Sequence, residues 1–469
     1  MVMEMKPDWN GKRVTILGGA RQGQAAARWL ARHGARVTVN DRRAPEQMAA
    51  ARSALADTPV TWVLGSHPVK ILDTTDILCI SGGVPLDNPL VVAAVKRNIP
   101  LTNDTQVFME VAPCQTVGIT GSAGKTTTTM LVGQMAKSAF TPKTGTRGDK
   151  AFVGGNIGDP LLNHVDEMTP DDLAILEISS FQLEQMTISP NVAAILNITP
   201  NHLDRHGTME AYTAAKRRIL EFQHADDTAV LNRADPGSWN LCGDVRGRLV
   251  SFGSDAFSGK QDGAFLADDI LHLRLRGVEV PLLRRDQIQL RGEHNVMNVL
   301  AAFAIGYAAG LPLDAMLSAA EEFRGVAHRL EFVREWNGAQ WYNDSIASAP
   351  ERTMADIRSF TEPIVLLLGG RDKNLPWEEL AALVCQRVEH VVLFGEAAEK
   401  IAAALEQAKG PLPLTLDRCK GLEEAIQAAA KLATPGSIVL LSPGGTSFDQ
   451  FRDFEERGEA FRKWVSELS

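Results

Sequence analysis

The residues that carry the clearest chemical signal form a glycine-rich loop, Gly121-Ser122-Ala123-Gly124-Lys125-Thr126-Thr127. The loop follows an apolar run over 115–120 and precedes a helical pattern over 128–137, so the local order is strand, loop and helix. Backbone N–H groups and the helix N-terminus in such a loop attract phosphate oxygens. The lysine neutralises terminal phosphates, and the Thr126 hydroxyl suits Mg²⁺. The loop therefore predicts a site for ATP or GTP.

The loop departs from the standard phosphate-binding motif, because Ile119 stands where that motif has its first glycine. An ordinary glycine-rich turn is the competing interpretation. It is disfavoured because Gly-Lys-Thr directly after a strand is a specific combination.

Three more residues of the same block have side chains suited to metal or phosphate chemistry. Glu177 lies near the end of an apolar run, where an acid can reach Mg²⁺ on a bound phosphate or form a salt bridge. His202 follows the apolar run 192–198, and residue type alone favours a structural role over a ligand role. Lys216 lies in a predicted helix over 209–222, and we expect it on the solvated face.

An earlier block opens with a strand, a turn of the form G-x-A-x-x-G over 18–23, a helix and a second strand that ends at Asp41. This pattern is compatible with NAD, FAD, another nucleotide, or plain packing of a helix on a strand. A further strand ends in the turn 81–85, which contains Gly82 and is a second candidate ligand contact.

The elements that position these residues alternate between strands and helices through all 469 residues, a length that suggests about three domains. We predict an α/β protein with a Rossmann-like domain over 1–103, a central phosphate-loop ATPase domain with a parallel sheet over 104–324, and a Rossmann-like domain over 325–469. In the last of these, polar turns follow three strands, over 343–345, 369–373 and 442–451.

Composition excludes several classes of partner. The net charge of −9 and the absence of a basic block argue against a duplex-binding surface. The five cysteines form no C-x-x-C pair, which favours a reducing cytoplasm over a disulfide framework. Residues 1–10 lack the apolar core of a secretory signal, and the apolar runs are too short to span a membrane. We expect a monomer in the bacterial cytoplasm.

Seven motifs together resemble the Mur ligases over almost the whole chain. In order, they are the Gly-Lys-Thr loop, Glu-Ile-Ser-Ser-Phe-Gln-Leu-Glu, Asn-His-Leu-Asp-Arg-His, the pair His328-Arg329, Asn-Asp-Ser, Gly-Gly-Arg-Asp-Lys and Ser-Pro-Gly-Gly-Thr-Ser-Phe-Asp-Gln-Phe. The second and last motifs favour the glutamate-adding members of the family. The resemblance implies an ATP-dependent amide ligase that joins D-glutamate to UDP-N-acetylmuramoyl-L-alanine through an acyl phosphate.

The resemblance also implies roles for individual residues. The ATP set comprises Gly121, Ser122, Ala123, Gly124, Lys125, Thr126, Thr127, Asn298, Arg329 and Asp344. The ligands of two Mg²⁺ ions are Thr126, Glu177, His202 and Lys216, the lysine as a carbamate, and the catalytic set is Lys125, Glu177, His202 and Lys216. Asp41, Arg42, Arg43, Gly82 and Asn156 would contact the UDP-sugar, and Lys373, Ser447 and Phe454 would shape the glutamate pocket.

One departure from the family pattern bears on the substrate. Members often carry a lysine two residues after the aspartate of Asn-Asp-Ser, where it helps to bind a glutamate carboxylate, and here that position is Ile346. The D enantiomer is favoured, and L-glutamate stays open. A folate polyglutamate ligase, an NAD-dependent oxidoreductase and a non-catalytic nucleotide switch stay open as well, although each of these functions leaves at least one motif unexplained.

Overall fold

The computed structural model describes residues 7–140, 150–256, 261–408, 410 and 414–468. They form three sheets flanked by helices, which confirms the predicted α/β class. The chain divides into two compact units. The first runs to Ile288 and continues over Glu293–Phe323, and the second comprises Gln289–Gly292 and the chain from Arg324 onward. The domain boundaries predicted from the sequence stay a prediction.

The first sheet has the strand order β3-β2-β1-β4-β5, and all its pairs are parallel. Its strands are β1 (Arg13–Leu17), β2 (Arg36–Asp41), β3 (Val60–Leu64), β4 (Ile77–Ile80) and β5 (Leu101–Thr102). Its helices are α1 (Arg21–Arg32), α2 (Ala49–Ala54), α3 (Pro89–Lys96) and α4 (Asp104–Val111). Gly23 must be glycine, because a Cβ there would lie 1.9 Å from the Gly18 carbonyl oxygen.

The second sheet has nine strands in the order β14-β13-β12-β11-β10-β9-β6-β8-β7. They are β6 (Gln115–Thr120), β7 (Ala151–Gly155), β8 (Leu173–Glu177), β9 (Val192–Ile195), β10 (Thr228–Asn232), β11 (Arg248–Gly253), β12 (Gly263–Ala267), β13 (Ile270–Leu275) and β14 (Val278–Arg284). Its helices are α5 (Lys125–Ala139), α6 (Ser180–Leu183), α7 (Leu203–His206), α8 (Met209–Glu221), α9 (Pro236–Trp239), α10 (Glu293–Ala308) and α11 (Leu313–Glu322).

The second sheet is parallel from β7 to β12, as predicted, but β13 and β14 extend it in antiparallel pairs. The connections explain the difference. Asp268 and Asp269 join β12 to β13, and Arg276 and Gly277 join β13 to β14, all four with positive φ. Two-residue turns of this kind make hairpins, whereas a parallel crossover needs many more residues.

The first and second sheets share one hydrophobic core within the first unit. The cluster joins residues of the first block, such as Trp29 and Leu30, to residues of the second, such as Leu161, Val165 and Leu176. Because one core spans both sheets, their positions within this unit are fixed by packing.

The second unit is built on six strands in the order β15-β16-β20-β17-β18-β19, parallel except for the β15–β16 hairpin. They are β15 (Glu331–Trp336), β16 (Ala339–Asn343), β17 (Ile364–Gly369), β18 (His390–Phe394), β19 (Thr415–Cys419) and β20 (Ile438–Gly444). Its helices are α12 (Pro350–Arg358), α13 (Glu378–Arg387), α14 (Ala398–Gln407), α15 (Leu422–Leu432) and α16 (Phe454–Ser466). Apolar clusters cover both faces of the sheet.

Within the described ranges, no helix is long and apolar enough to cross a membrane.

Candidate active site

The glycine-rich loop connects the end of β6 at Thr120 to the start of α5 at Lys125. Gly124 is the N-cap of α5 and has a left-handed backbone with φ +82°. A Cβ at Gly124 would lie only 2.2 Å from Oδ1 of Asn298, which is buried on α10. Glycine is therefore required at this position by both conformation and space. The N–H groups of the first turn of α5 have no carbonyl partner within the helix, so they are available to an anion at this end of the helix.

Asn197 holds the first half of the loop in place. The Ser122 N–H donates to the Asn197 carbonyl (3.0 Å), and the Ala123 N–H donates to Asn197 Oδ1 (2.8 Å). The Ser122 hydroxyl donates to the Thr199 carbonyl at 2.9 Å. Ser122 and Ala123 thus shape the loop through bonds within the protein. No sequence motif predicted a role for Asn197, whose only signal is a polar residue at the end of an apolar run.

The side chain of Lys125 folds back onto the glycine-rich loop. Its Nζ donates to the carbonyl oxygen of Gly121 at 2.9 Å and approaches that of Ser122 at 3.5 Å. The ammonium group therefore lies at the loop, where terminal phosphate oxygens are the natural replacement for these carbonyls.

Thr126, Glu177 and Asn156 meet beside the loop. The Thr126 hydroxyl donates to Glu177 Oε2 (2.7 Å), and the Asn156 amide donates to Oε1 of the same carboxylate (3.0 Å). Glu177 is the last residue of β8 and is buried. Hydroxyl and carboxylate oxygens are the donors that Mg²⁺ prefers. No cluster of three or more His, Cys, Asp or Glu able to hold a metal occurs in the described part of the chain.

Lys216 is buried, so the prediction that it lies on the solvated face of its helix is wrong. Its side chain is 1% exposed, and Nζ donates to the Gly121 carbonyl (2.9 Å) and to Thr120 Oγ1 (3.3 Å). The reason is that α8 turns this face, which also carries Tyr212, toward the end of β6. Burial lowers the pKa of Lys216 well below its usual value, and the charge of Lys125 lowers it further while Glu177 opposes the shift.

His202 lies at the N-terminal end of α7 with a left-handed backbone, φ +52°, and is exposed. Its ring contacts the Phe181 ring edge-on at 5.1 Å between centroids. The neighbouring His206 is buried instead, with Nε2 3.0 Å from Ser180 Oγ.

In the first block, Asp41 is committed to bonds within the protein. It accepts from the Gly19 N–H (2.9 Å) and from the Arg43 guanidinium (2.7 Å). Burial raises the pKa of Asp41, but the hydrogen bonds from Arg43 and Gly19 outweigh burial and hold the pKa well below its usual range. Arg42 beside them is exposed.

The turn that contains Gly82 contacts the central block. Arg205 donates to the carbonyl oxygens of Gly82 (3.3 Å) and Val84 (2.8 Å), and its guanidinium stacks on the Phe181 ring. Arg205 therefore links its own motif to the turn over 81–85 of the first sheet. No sequence pattern predicted this role for Arg205.

In the second unit, the polar turns after β16 and β20 meet. Asp344 is buried and accepts from the Leu330 N–H (2.6 Å), and Arg329 is exposed nearby. Burial raises the pKa of Asp344, and burial together with the charge of Asp344 raises the pKa of the adjacent Asp356 well above its usual value. The Ser442 hydroxyl donates to Asp356 at 2.6 Å.

Arg457 donates hydrogen bonds to both the turn after β16 and the turn after β20. This fully buried arginine donates to the Ser345 carbonyl (2.8 Å) and to the Gly445 carbonyl (3.1 Å). The Ser345 hydroxyl donates to the carbonyl of Phe454, the first residue of α16. Ser447 is buried in the same turn region, and Lys373 is exposed with Nζ 3.2 Å from Ser348 Oγ. Of the three residues predicted for the glutamate pocket, Lys373 and Ser447 lie on loops that follow β17 and β20, and Phe454 is the first residue of α16.

Comparisons with known proteins agree with this architecture. Residues 12–103 match the Mur ligase MurD-like N-terminal domain, residues 119–306 the Mur ligase middle domain, and residues 328–445 the Mur ligase glutamate ligase domain. A UDP-N-acetylmuramate-alanine ligase structure from Thermotoga maritima has the same fold, with a TM-score of 0.55, 20% identity, and coverage of 97% of this chain and 100% of its own.

Two curated relatives are similar over nearly their full length. A UDP-N-acetylmuramoylalanine--D-glutamate ligase of Symbiobacterium thermophilum is 38% identical and covers 98% of both chains. The protein of the same name from Acetivibrio thermocellus is 37% identical and covers 99% of this chain and 98% of its own. These similarities confirm the resemblance predicted from the motifs: the chain belongs to the Mur ligase family.

Proposed function

We propose that the chain is an ATP-dependent ligase that joins D-glutamate to UDP-N-acetylmuramoyl-L-alanine in peptidoglycan precursor synthesis. The observation that carries the proposal is the convergence of Thr126, Glu177 and Asn156 beside the phosphate loop. That arrangement occurs in a chain whose full-length relatives carry the name of this ligase.

The reaction needs ATP because a carboxylate is a poor acyl donor. An oxygen of the terminal alanine carboxylate attacks the γ-phosphorus, and ADP leaves with the electrons of the broken P–O bond. The glutamate amine then attacks the acyl carbon, loses a proton, and phosphate leaves. The protein supplies positioning and charge neutralisation, which are the main sources of acceleration in phosphoryl transfer.

Residues at the loop support the first step. Lys125 neutralises the terminal phosphates, and the first-turn N–H groups of α5 receive their oxygens. The side chain of Asn298 packs closely against Gly124 of the loop. Arg329 and Asp344, which lie in the second unit, stay predicted contacts of ATP. Thr126, Glu177 and His202 are the proposed ligands of two Mg²⁺ ions, which screen the charges of the two anionic substrates when bound.

Lys216 joins this ligand set if it carries a carbamate. Carbamate formation needs a neutral amine, which attacks the carbon of CO₂ and releases one proton. The burial of Lys216 and its position beside Lys125 favour the neutral amine. The modification turns a buried cation into an anion whose oxygens suit Mg²⁺.

The remaining residues bind the substrates. Asp41, Arg42, Arg43 and Gly82 are proposed for the uridine end, and Asn156 for the muramoyl end. In this proposal Asp41 orients Arg43 and does not bind a ribose hydroxyl as in NAD-dependent enzymes. Lys373, Ser447 and Phe454 are proposed for glutamate. We also propose that the chain acts as a monomer in the bacterial cytoplasm.

Phosphate release tests the proposal directly. Purified protein is mixed with ATP, Mg²⁺ and UDP-N-acetylmuramoyl-L-alanine, and release is followed after D-glutamate or L-glutamate is added. Release that depends on D-glutamate supports the proposal. Release that depends only on L-glutamate keeps the mechanism and changes the product, an outcome that Ile346 leaves open. If neither enantiomer causes phosphate release, the proposed substrate is wrong.

A further inference from the structure

The loop over 345–349 contains an apolar residue at a position where a glutamate pocket needs positive charge. Ile346 is half-buried, and its backbone is held by a hydrogen bond from its N–H to the His328 carbonyl (3.1 Å). Glutamate carries two carboxylates, and Lys373 is one cation on this side of the sheet. Ile346 adds no charge, so a cation for the other carboxylate would have to come from a neighbouring side chain.

Arg352 reaches back to that position. It lies in the first turn of α12, and Nη1 donates to the carbonyl oxygen of Ile346 at 3.2 Å. The side chain is exposed, and across the described residues it forms no ion pair with a carboxylate. A guanidinium has five N–H donors in a planar fork that matches a carboxylate. The bond to Ile346 uses one donor and leaves the others for a further acceptor.

Arg352 and Lys373 are close enough for their charges to interact. The pKa of Lys373 is lowered, first by partial desolvation and then by the positive charges of Arg352 and Arg457, while Glu351 opposes the shift. Two cations that repel each other across an open loop are stabilised when an anion lies between them. Lys373 is also fixed to the same loop through Ser348, at 3.2 Å.

We infer that Arg352 is a specificity-determining residue of the glutamate pocket, which binds one carboxylate of the incoming amino acid while Lys373 binds the other. Arg352, in the first turn of α12, thereby supplies the positive charge that the apolar Ile346 cannot supply. The inference rests on the proposed function and names the second anion-binding group of that same site.

The experiment measures KM for glutamate, with saturating ATP and UDP-N-acetylmuramoyl-L-alanine, for the unchanged protein and for Arg352→Ala and Arg352→Lys. The enantiomer that supports turnover is used throughout. Because a charged group contributes strongly to carboxylate binding, Arg352→Ala should raise KM for glutamate at least about tenfold. The lysine variant should recover part of the loss. KM for ATP should change less than about twofold in each variant, which separates loss of a substrate contact from damage to the fold.

Two further variants sharpen the test. Arg358→Ala removes an exposed arginine at the other end of the same helix and should leave KM for glutamate unchanged. Ile346→Lys in the Arg352→Ala background returns a cation to the residue whose carbonyl Arg352 contacts and should restore most of the affinity. An Arg352→Ala enzyme with the same KM for glutamate as the Arg358→Ala enzyme would overturn the inference and leave the proposed function standing. Absence of glutamate-dependent release by the unchanged protein would overturn both.

Discussion

The substitution Gly124→Ala tests how the glycine-rich loop holds its shape. Gly124 has φ +82°, a conformation that costs a residue with a Cβ roughly 1–2 kcal/mol. The new Cβ would lie 2.2 Å from Asn298 Oδ1, so one of the two must move by about 1 Å to reach an ordinary contact. A shift of that size at a reacting site costs on the order of 100-fold in rate.

We therefore expect kcat/KM for ATP to fall about 100-fold in phosphate-release assays. The backbone cost alone should lower the thermal unfolding midpoint by about 2–8 °C, since 1 kcal/mol corresponds to about 2–4 °C in a domain of this size. Gly243→Ala is the matched control, because no atom lies within 4 Å of its Cβ position and its φ is not left-handed. Wild-type kcat/KM in the Gly124→Ala enzyme would refute the reasoning.

The double variant Gly124→Ala with Asn298→Ala separates the two costs. Removing the Asn298 amide removes the atom that the new Cβ would meet, but the left-handed backbone remains. The unfolding midpoint of the double variant should therefore be higher than the sum of the two single effects predicts. Strictly additive effects would show that the contact with Asn298 does not constrain the loop.

Three other predictions concern buried or loop-bound charges. Lys125→Ala should abolish turnover and leave the unfolding midpoint unchanged, because the loop backbone remains; an active variant would contradict the ATP-loop assignment. Lys216→Ala should be inactive and partly rescued by formate or acetate but not by chloride, and failure of every short carboxylate would count against the carbamate. Asp104 is buried, with one oxygen that has no hydrogen-bond partner, and burial raises its pKa to about 6, so the native state holds a proton that the unfolded state releases near pH 4. Stability should therefore fall by about 3 kcal/mol as pH rises from 4 to above 6, Asp104→Asn should lose that slope, and parallel pH curves for the two proteins would contradict the assignment.

The strands of the fold could be predicted because buried parallel strands appear in a sequence as continuous apolar runs between turn residues. Gln115–Thr120, for example, has the predicted bounds. The run over 192–198 is longer than β9, which ends at Ile195. Asn197, two residues beyond the end of β9, accepts hydrogen bonds from the N–H groups of the glycine-rich loop.

The meeting of Thr126 with Glu177 could likewise be predicted, since Glu177 ends β8 and Thr126 follows β6 in the same parallel sheet, and the carboxyl ends of such strands share an edge. The hairpins that extend this sheet could not be predicted, because the segment over 225–290 is rich in strand and loop residues but has no motif that fixes how its strands pair. Their two-residue connections with positive φ are a geometric fact of the folded chain.

Buried charge is the feature that sequence patterns miss most systematically in this protein. Lys216, Asp356 and Arg457 all lie on helices, and periodicity assigns any lysine, aspartate or arginine to the solvated face. In the structure each is at least nine-tenths buried, and each bonds a strand end or the turn that follows it. A parallel sheet presents unpaired carbonyls and polar turns at its carboxyl edge, so a helix packed there can satisfy a buried charge that would be costly elsewhere. Charged helix residues beside such an edge are therefore the first positions at which a solvated-face assignment should be doubted.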